Sequence, residues 1–135
     1  MMSSMTNVER LAMAVKVGSI AIDLDGTLAH QDPGAEFDPK VIGDPVPKML
    51  ARVKRWLKAG EDVKLFTARA SDEKNIPPIR KWLDANGLSG ITEITNEKTP
   101  DIEELWDDRA VGIEANTGKI KSGRLRLQMA QVFSP

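Results

Sequence analysis

Cysteine is absent, which removes disulfides, thiolate nucleophiles and cysteine-ligated metal centres from consideration. Aromatic residues are scarce, at 4% of the chain, so aliphatic side chains must fill any core. Trp56, Trp82 and Trp106 each fall on an apolar face and are read as core residues. The one histidine, His30, sits in a predicted loop and is read as incidental. Neither sign of charge is in excess: a formal net charge of -1 offers no broad field to nucleic acid or an anionic membrane. Long apolar runs are missing as well. The N-terminal stretch MMSSMTNVERLAMAVKVG is interrupted by Glu9, Arg10 and Lys16, so it reads as neither a signal peptide nor a spanning helix, and a soluble, cytoplasmic protein is expected.

The chain of 135 residues is 41% hydrophobic, enough for one domain with a real core. Strand-length apolar runs alternate with helical patterns, the signature of a parallel sheet with crossover helices. The first strand is SIAIDLD. A helix follows over DPVPKMLARVKRWLKAG, with Asp44 as cap, Pro45 near the first turn and Gly60 as stop. EDVKLFTARA supplies a second strand ending near Thr67, and PPIRKWLDANG a second helix closed by Gly87. GITEITNEK, LWDD and RAVGIEANTG read as strands three to five. The expectation is a single three-layer, Rossmann-like α/β domain over residues 18–116. It would have a mostly parallel five-stranded sheet with helices on both faces, an N-terminal extension at 1–17 and a C-terminal one at 117–135.

Right-handed crossovers put the carboxyl ends of parallel strands on one edge, where open α/β folds place their sites. At those ends stand Asp23 and Asp25, Thr67, Lys98 just past strand three, and the pair Asp107 and Asp108. Four carboxylates cannot all ionise cheaply in one crevice without a cation, and hard oxygen ligands favour Mg²⁺. Magnesium shares its shell with substrate phosphate, which makes a phosphate ester the natural substrate. Thr67 would hydrogen-bond a phosphoryl oxygen and Lys98 would hold its negative charge. Amides around Leu24 to Thr27 offer further donors to an anion.

In these residues the chain resembles the haloacid dehalogenase superfamily of aspartate-nucleophile phosphatases. DLDGT at 23–27, Thr67 in LFTARA, Lys98 in TNEKTP and DD at 107–108 match that family's four motifs in order and spacing over residues 18–116. The resemblance implies that Asp23 attacks phosphorus and that Asp25 protonates the leaving alkoxide and later deprotonates water. It also implies an Mg²⁺ site built from the Asp23 carboxylate, the Asp25 backbone carbonyl, Asp107 as direct ligand and Asp108 as a second, directly or through water. Arg69 is read either as a neighbour of the site or as a surface salt bridge. Relatives in this family often carry a cap domain; here LAHQDPGAEFDPKVIGDPVP has room only for a loop or small flap, so no cap is expected.

The C-terminal GKIKSGRLRLQMAQVF alternates Leu125, Leu127 and Met129 with polar residues, which suits an edge strand and self-association, although Met129, Val132 and Phe133 also fit a helix. Its basic residues keep two alternatives open beside a phosphatase of small phosphorylated molecules. One is a module acting on nucleic-acid phosphate ends; the other is a non-catalytic assembly domain.

Overall fold

Four short apolar stretches, each of strand length, pair into one parallel sheet in the computed structural model, which describes residues 6, 7 and 18–123. The strands are β1 (Ser19–Ile22), β2 (Asp62–Phe66), β3 (Ile94–Thr95) and β4 (Ile102–Trp106), in the order β3-β2-β1-β4. β1 is hydrogen-bonded on both edges, which explains why its four residues SIAI are almost wholly apolar and buried.

Helix α1 (Pro47–Lys58) starts three residues after the predicted cap. Asp44 does not cap it because the chain there is already tied to the loop after β1: His30 N donates to Asp44 O at 2.7 Å, and Val46 N to Leu28 O at 2.7 Å. Pro47 instead opens the helix, where its missing N–H costs nothing. Gly60, at φ +81°, ends it. Helix α2 (Ile76–Ala85) begins beside Pro77 and Pro78 and ends before Gly87, close to the predicted bounds. Two 3₁₀ turns, Ala68–Ser71 and Glu73–Asn75, lie between β2 and α2, capped by Thr67 and Asp72; the apolar periodicity carries no sign of them.

The connections β1-α1-β2 and β2-α2-β3 step across the sheet in one direction, so right-handed crossovers bring both helices to the same face. Val53 of α1 and Ile79 and Leu83 of α2 accordingly share one cluster with Ile22, Val63 and Leu65. Trp56 and Trp106 extend it, their rings 5.0 Å apart, and Trp82 joins it while donating Nε1–H to Gly43 O at 2.9 Å.

This arrangement corrects one expectation: among the described residues the parallel sheet has four strands rather than five, with α1 and α2 on one of its faces. The return from β3 to β4 takes only residues 96–101, too few for a helix on the second face. On that side Lys64 is buried, with Nζ 2.5 Å from Asp101 Oδ2 and 3.2 Å from Glu93 Oε2. The Lys64 ammonium holds the Asp101 carboxyl well below the usual carboxylate range, and Asp101 in turn raises Lys64. The expected fifth strand, β5 (Val111–Ile113), pairs antiparallel with β6 (Ile120–Gly123) in a separate ribbon, turned through Asn116 and Gly118 at positive φ. The readings made for Leu125 to Phe133, and those for residues 8–17, lie outside the described residues.

Between β1 and α1 the chain forms turns and isolated bridges, Asp25 with Ala29 and Ala29 with Pro45. No helix among the described residues is long and apolar enough to cross a membrane.

Leu83 is fully buried between α2 and the sheet, whereas Leu105 is 37% exposed on edge strand β4. Leu83→Ala should therefore cost about 2–5 kcal/mol of unfolding free energy in urea titrations. Leu105→Ala should stay within about 0.5 kcal/mol of the parent.

Candidate active site

The ladder between β1 and β4 continues one residue past the end of β1, with Asp23 N donating to Trp106 O at 2.9 Å. That rung sets Asp23 beside Asp107 and Asp108. The chain then closes a tight loop in which Leu24 O accepts from the amides of Thr27, Leu28 and Ala29 at 3.2, 3.0 and 2.8 Å. Leu24 and Leu28 are both fully buried in the core. Alternation along the extended chain consequently turns the residues on either side of Leu24, Asp23 and Asp25, away from the core and toward the crevice.

Gly26 and Thr27 hold the other wall. Gly26 has φ +88°, and a Cβ there would stand 2.6 Å from Asp108 Oδ2, so only glycine permits the carboxylate's approach. The Thr27 hydroxyl donates to Asp108 Oδ1 at 2.9 Å and accepts from the Asp108 amide at 3.0 Å. Arg109 N donates to Asp107 Oδ1 at 2.7 Å, fixing that side chain.

Carboxylate oxygens of Asp23, Asp107 and Asp108 thereby lie within 4.8 Å of one another. Burial, and then repulsion from Asp107 and the contact with Asp108, push the Asp23 carboxyl up from 3.8 to about 7. An all-oxygen, mutually repelling donor set, with Asp23 and Asp107 half-buried and Asp108 exposed, fits a hard divalent cation.

A cavity of about 470 Å³ opens over the cluster, lined by Asp23, Asp25, Thr67, Arg69, Asp107 and Arg109 among others. Thr67 is buried at the end of β2. Its amide donates to Thr95 O at 2.9 Å, and its hydroxyl oxygen accepts from Arg69 N at 3.2 Å. Five of the six residues expected at the site thus meet at one sheet edge. Lys98 does not join them: it is exposed in the 96–101 connection and does not line the cavity. The physical reason lies in that connection, which must leave the carboxyl edge at once to reach the start of β4, where Asp101 O accepts from Ser19 N at 2.8 Å.

Arg69, with its two readings, lines the cavity. Its side chain is 6% exposed, and it grips Asp25 with two hydrogen bonds, Nε to Oδ2 at 2.7 Å and Nη2 to Oδ1 at 2.8 Å. Arg109, which the sequence reading passed over, lines the same cavity. The only signal for either was adjacency to a motif, Arg69 two residues after Thr67 and Arg109 directly after the aspartate pair. His30 is exposed, paired with Asp32 at 2.8 Å, and outside the carboxylate cavity.

No family model matches the chain, and no curated protein matches it. Among solved structures, a conserved protein coded by a locus of Bacteroides thetaiotaomicron is similar, with a TM-score of 0.53 and 21% identity, covering 70% of this chain and 78% of that one. At that identity the likeness speaks for the α/β fold alone.

The raised Asp23 carboxyl has a definite sign. Its protonated form suits the folded state, so the stability present below 3.8 is lost as pH rises toward about 7 and the cluster ionises. A cation that requires the ionised carboxylate reverses this loss. The rise in Tm on adding Mg²⁺ should therefore be larger at about pH 8 than at about pH 5.5 by thermal melts. An equal rise at both values would contradict the proposed linkage.

Proposed function

We propose that the chain is a magnesium-dependent phosphomonoester hydrolase acting through an aspartyl-phosphate intermediate, of the haloacid dehalogenase type. The observation that carries this reading is the convergence of the Asp23, Asp107 and Asp108 carboxylates within 4.8 Å, beside a cavity that Asp23, Asp107, Asp25 and Thr67 line. A scaffold has no need of groups that repel one another in this way, which weighs against a purely structural domain. The nucleic-acid alternative leaned on Lys119, Lys121, Arg124 and Arg126; the two lysines are exposed at and beside β6, and the two arginines lie outside the described residues.

The cation would be held by the Asp23 and Asp107 carboxylates, with the Asp25 carbonyl and Asp108 completing the set. When bound, it neutralises the carboxylates and the phosphate charge that would otherwise repel the nucleophile. In the first step an Asp23 carboxylate oxygen attacks phosphorus, the bond from phosphorus to the leaving oxygen breaks, and Asp25 gives its proton to the departing alkoxide. In the second, water attacks the phosphorus of the aspartyl phosphate and passes a proton to Asp25. The phosphorus–Asp23 bond breaks, releasing inorganic phosphate and restoring both carboxyl groups. Because the Thr67 oxygen accepts from Arg69 N, its O–H remains free to donate to a phosphoryl oxygen. In this reading the fixed positive charge at the cavity comes from Arg69 and Arg109, and Lys98 has no part.

The test is turnover of p-nitrophenyl phosphate with Mg²⁺, which a chelator should abolish. Asp23→Asn should remove turnover altogether, since an amide is a poor nucleophile, whereas Asp25→Asn should slow hydrolysis of an alkyl phosphate by about 10²–10⁴-fold. Chelator-insensitive turnover, or an active Asp23→Asn protein, would overturn the assignment.

A further inference from the structure

Asp23 and Asp25 leave the same tight loop, yet only Asp25 is held by a cation of the chain itself. We infer that Arg69 is the positioning residue for Asp25 and that it ties this carboxyl to the loop carrying Phe37 to Val41. The place of the loop then sets where the acid–base group stands. The inference rests on the phosphatase reading for its catalytic consequence and on the geometry alone for the tie.

All five N–H donors of the guanidinium are engaged. Nε and one Nη2 donor take the two Asp25 oxygens at 2.7 and 2.8 Å. The second Nη2 donor reaches Val41 O at 2.9 Å, and the Nη1 donors reach Asp38 O at 3.4 Å and Pro39 O at 3.5 Å. A planar fork with two parallel bonds fixes both the position and the orientation of a carboxylate, which a point charge cannot do. Arg69 is itself rooted in the body of the domain. Its amide bonds to the Thr67 hydroxyl, and its carbonyl accepts from Asn75 Nδ2 at 3.0 Å and Asp72 N at 3.3 Å.

The loop has little else to hold it. Among the described residues, every hydrogen bond between the stretch 31–41 and the domain beyond His30 passes through Arg69; the others, such as Ala35 N to Asp32 O and Val41 N to Asp38 O, stay within the loop. Phe37 lies over the guanidinium with its ring centroid 4.8 Å from Cζ, is 60% exposed, and lines the cavity. A leaving group entering the cavity meets that ring, and the ring rests on the side chain that holds Asp25. Each Asp25 oxygen keeps a second acceptor position beside its bond to the fork, so proton transfer to the leaving group needs no turn of the side chain.

The experiment compares Arg69→Gln, Arg69→Lys, Asp25→Ala and the double variant Arg69→Gln/Asp25→Ala in the full chain. Turnover is read on an alkyl phosphate and on p-nitrophenyl phosphate, and amide exchange is read at residues 37–43. Both Arg69 variants should lose at least about tenfold more rate on the alkyl phosphate, whose leaving group needs the proton, than on the aryl phosphate. The double variant should be no slower than Asp25→Ala, as expected of two residues acting as one unit. Exchange at 37–43 should quicken alike in Arg69→Gln and Asp25→Ala, with the amides of α1 and α2 unchanged. Equal losses on both substrates, additive losses in the double variant, or unchanged exchange would overturn the inference. Should the parent protein hydrolyse neither phosphate, the phosphatase reading fails, while exchange in Asp25→Ala still decides the tie: faster exchange upholds it and unchanged exchange refutes it.

Discussion

Repulsion among the carboxylates of Asp23, Asp107 and Asp108 is the constraint around which the carboxyl edge of the sheet is organised. At an effective dielectric of about 20, two unit charges roughly 5 Å apart repel by about 3 kcal/mol, a sizeable part of the ~5–15 kcal/mol that stabilises a whole domain. The chain nevertheless holds the three together with separate devices. A backbone bond from Asp23 to Trp106 aligns the ends of β1 and β4, two buried leucines anchor the loop, and a reciprocal threonine contact secures Asp108. Gly26 yields the space that the Asp108 carboxylate occupies. Three of these devices account for Leu24, Gly26 and Thr27 of DLDGT.

Two carboxyls separated by a single leucine meet opposite surroundings. Asp23 faces other acids in a half-buried setting that raises its carboxyl to about 7, while Asp25 is gripped by a buried guanidinium. Environments that differ in this way allow one short segment to hold two chemically distinct acids.

Much of this was legible because it follows from period and punctuation. Apolar runs bounded by Gly60 and Gly87 mark α1 and α2, and the end of each run marks a strand end where chemistry collects. What escaped the sequence depends on contacts far apart in the chain. Asp44 has the chemistry of a cap, but its carbonyl was already claimed by His30 across the loop. Val111 to Ile113 has the composition of a core strand, but its partner is the following segment rather than β4. Lys98 lies at the spacing of a site residue, but six residues must span the sheet from β3 to β4 and carry it off the edge. Arg69 was ambiguous for the converse reason: an arginine after a strand is usually solvated, and only the return of the 31–41 loop over it reveals the buried clamp.

The nucleophile is tested most directly by trapping the covalent intermediate. The protein, turning over p-nitrophenyl phosphate with Mg²⁺, is quenched with borohydride, which reduces an acyl phosphate of aspartate to homoserine, and the peptides are mapped by mass. Homoserine at position 23, dependent on substrate and on the metal, is the result expected if Asp23 attacks phosphorus. Sustained turnover with aspartate intact at position 23, or homoserine at Asp25, Asp107 or Asp108 instead, would contradict it.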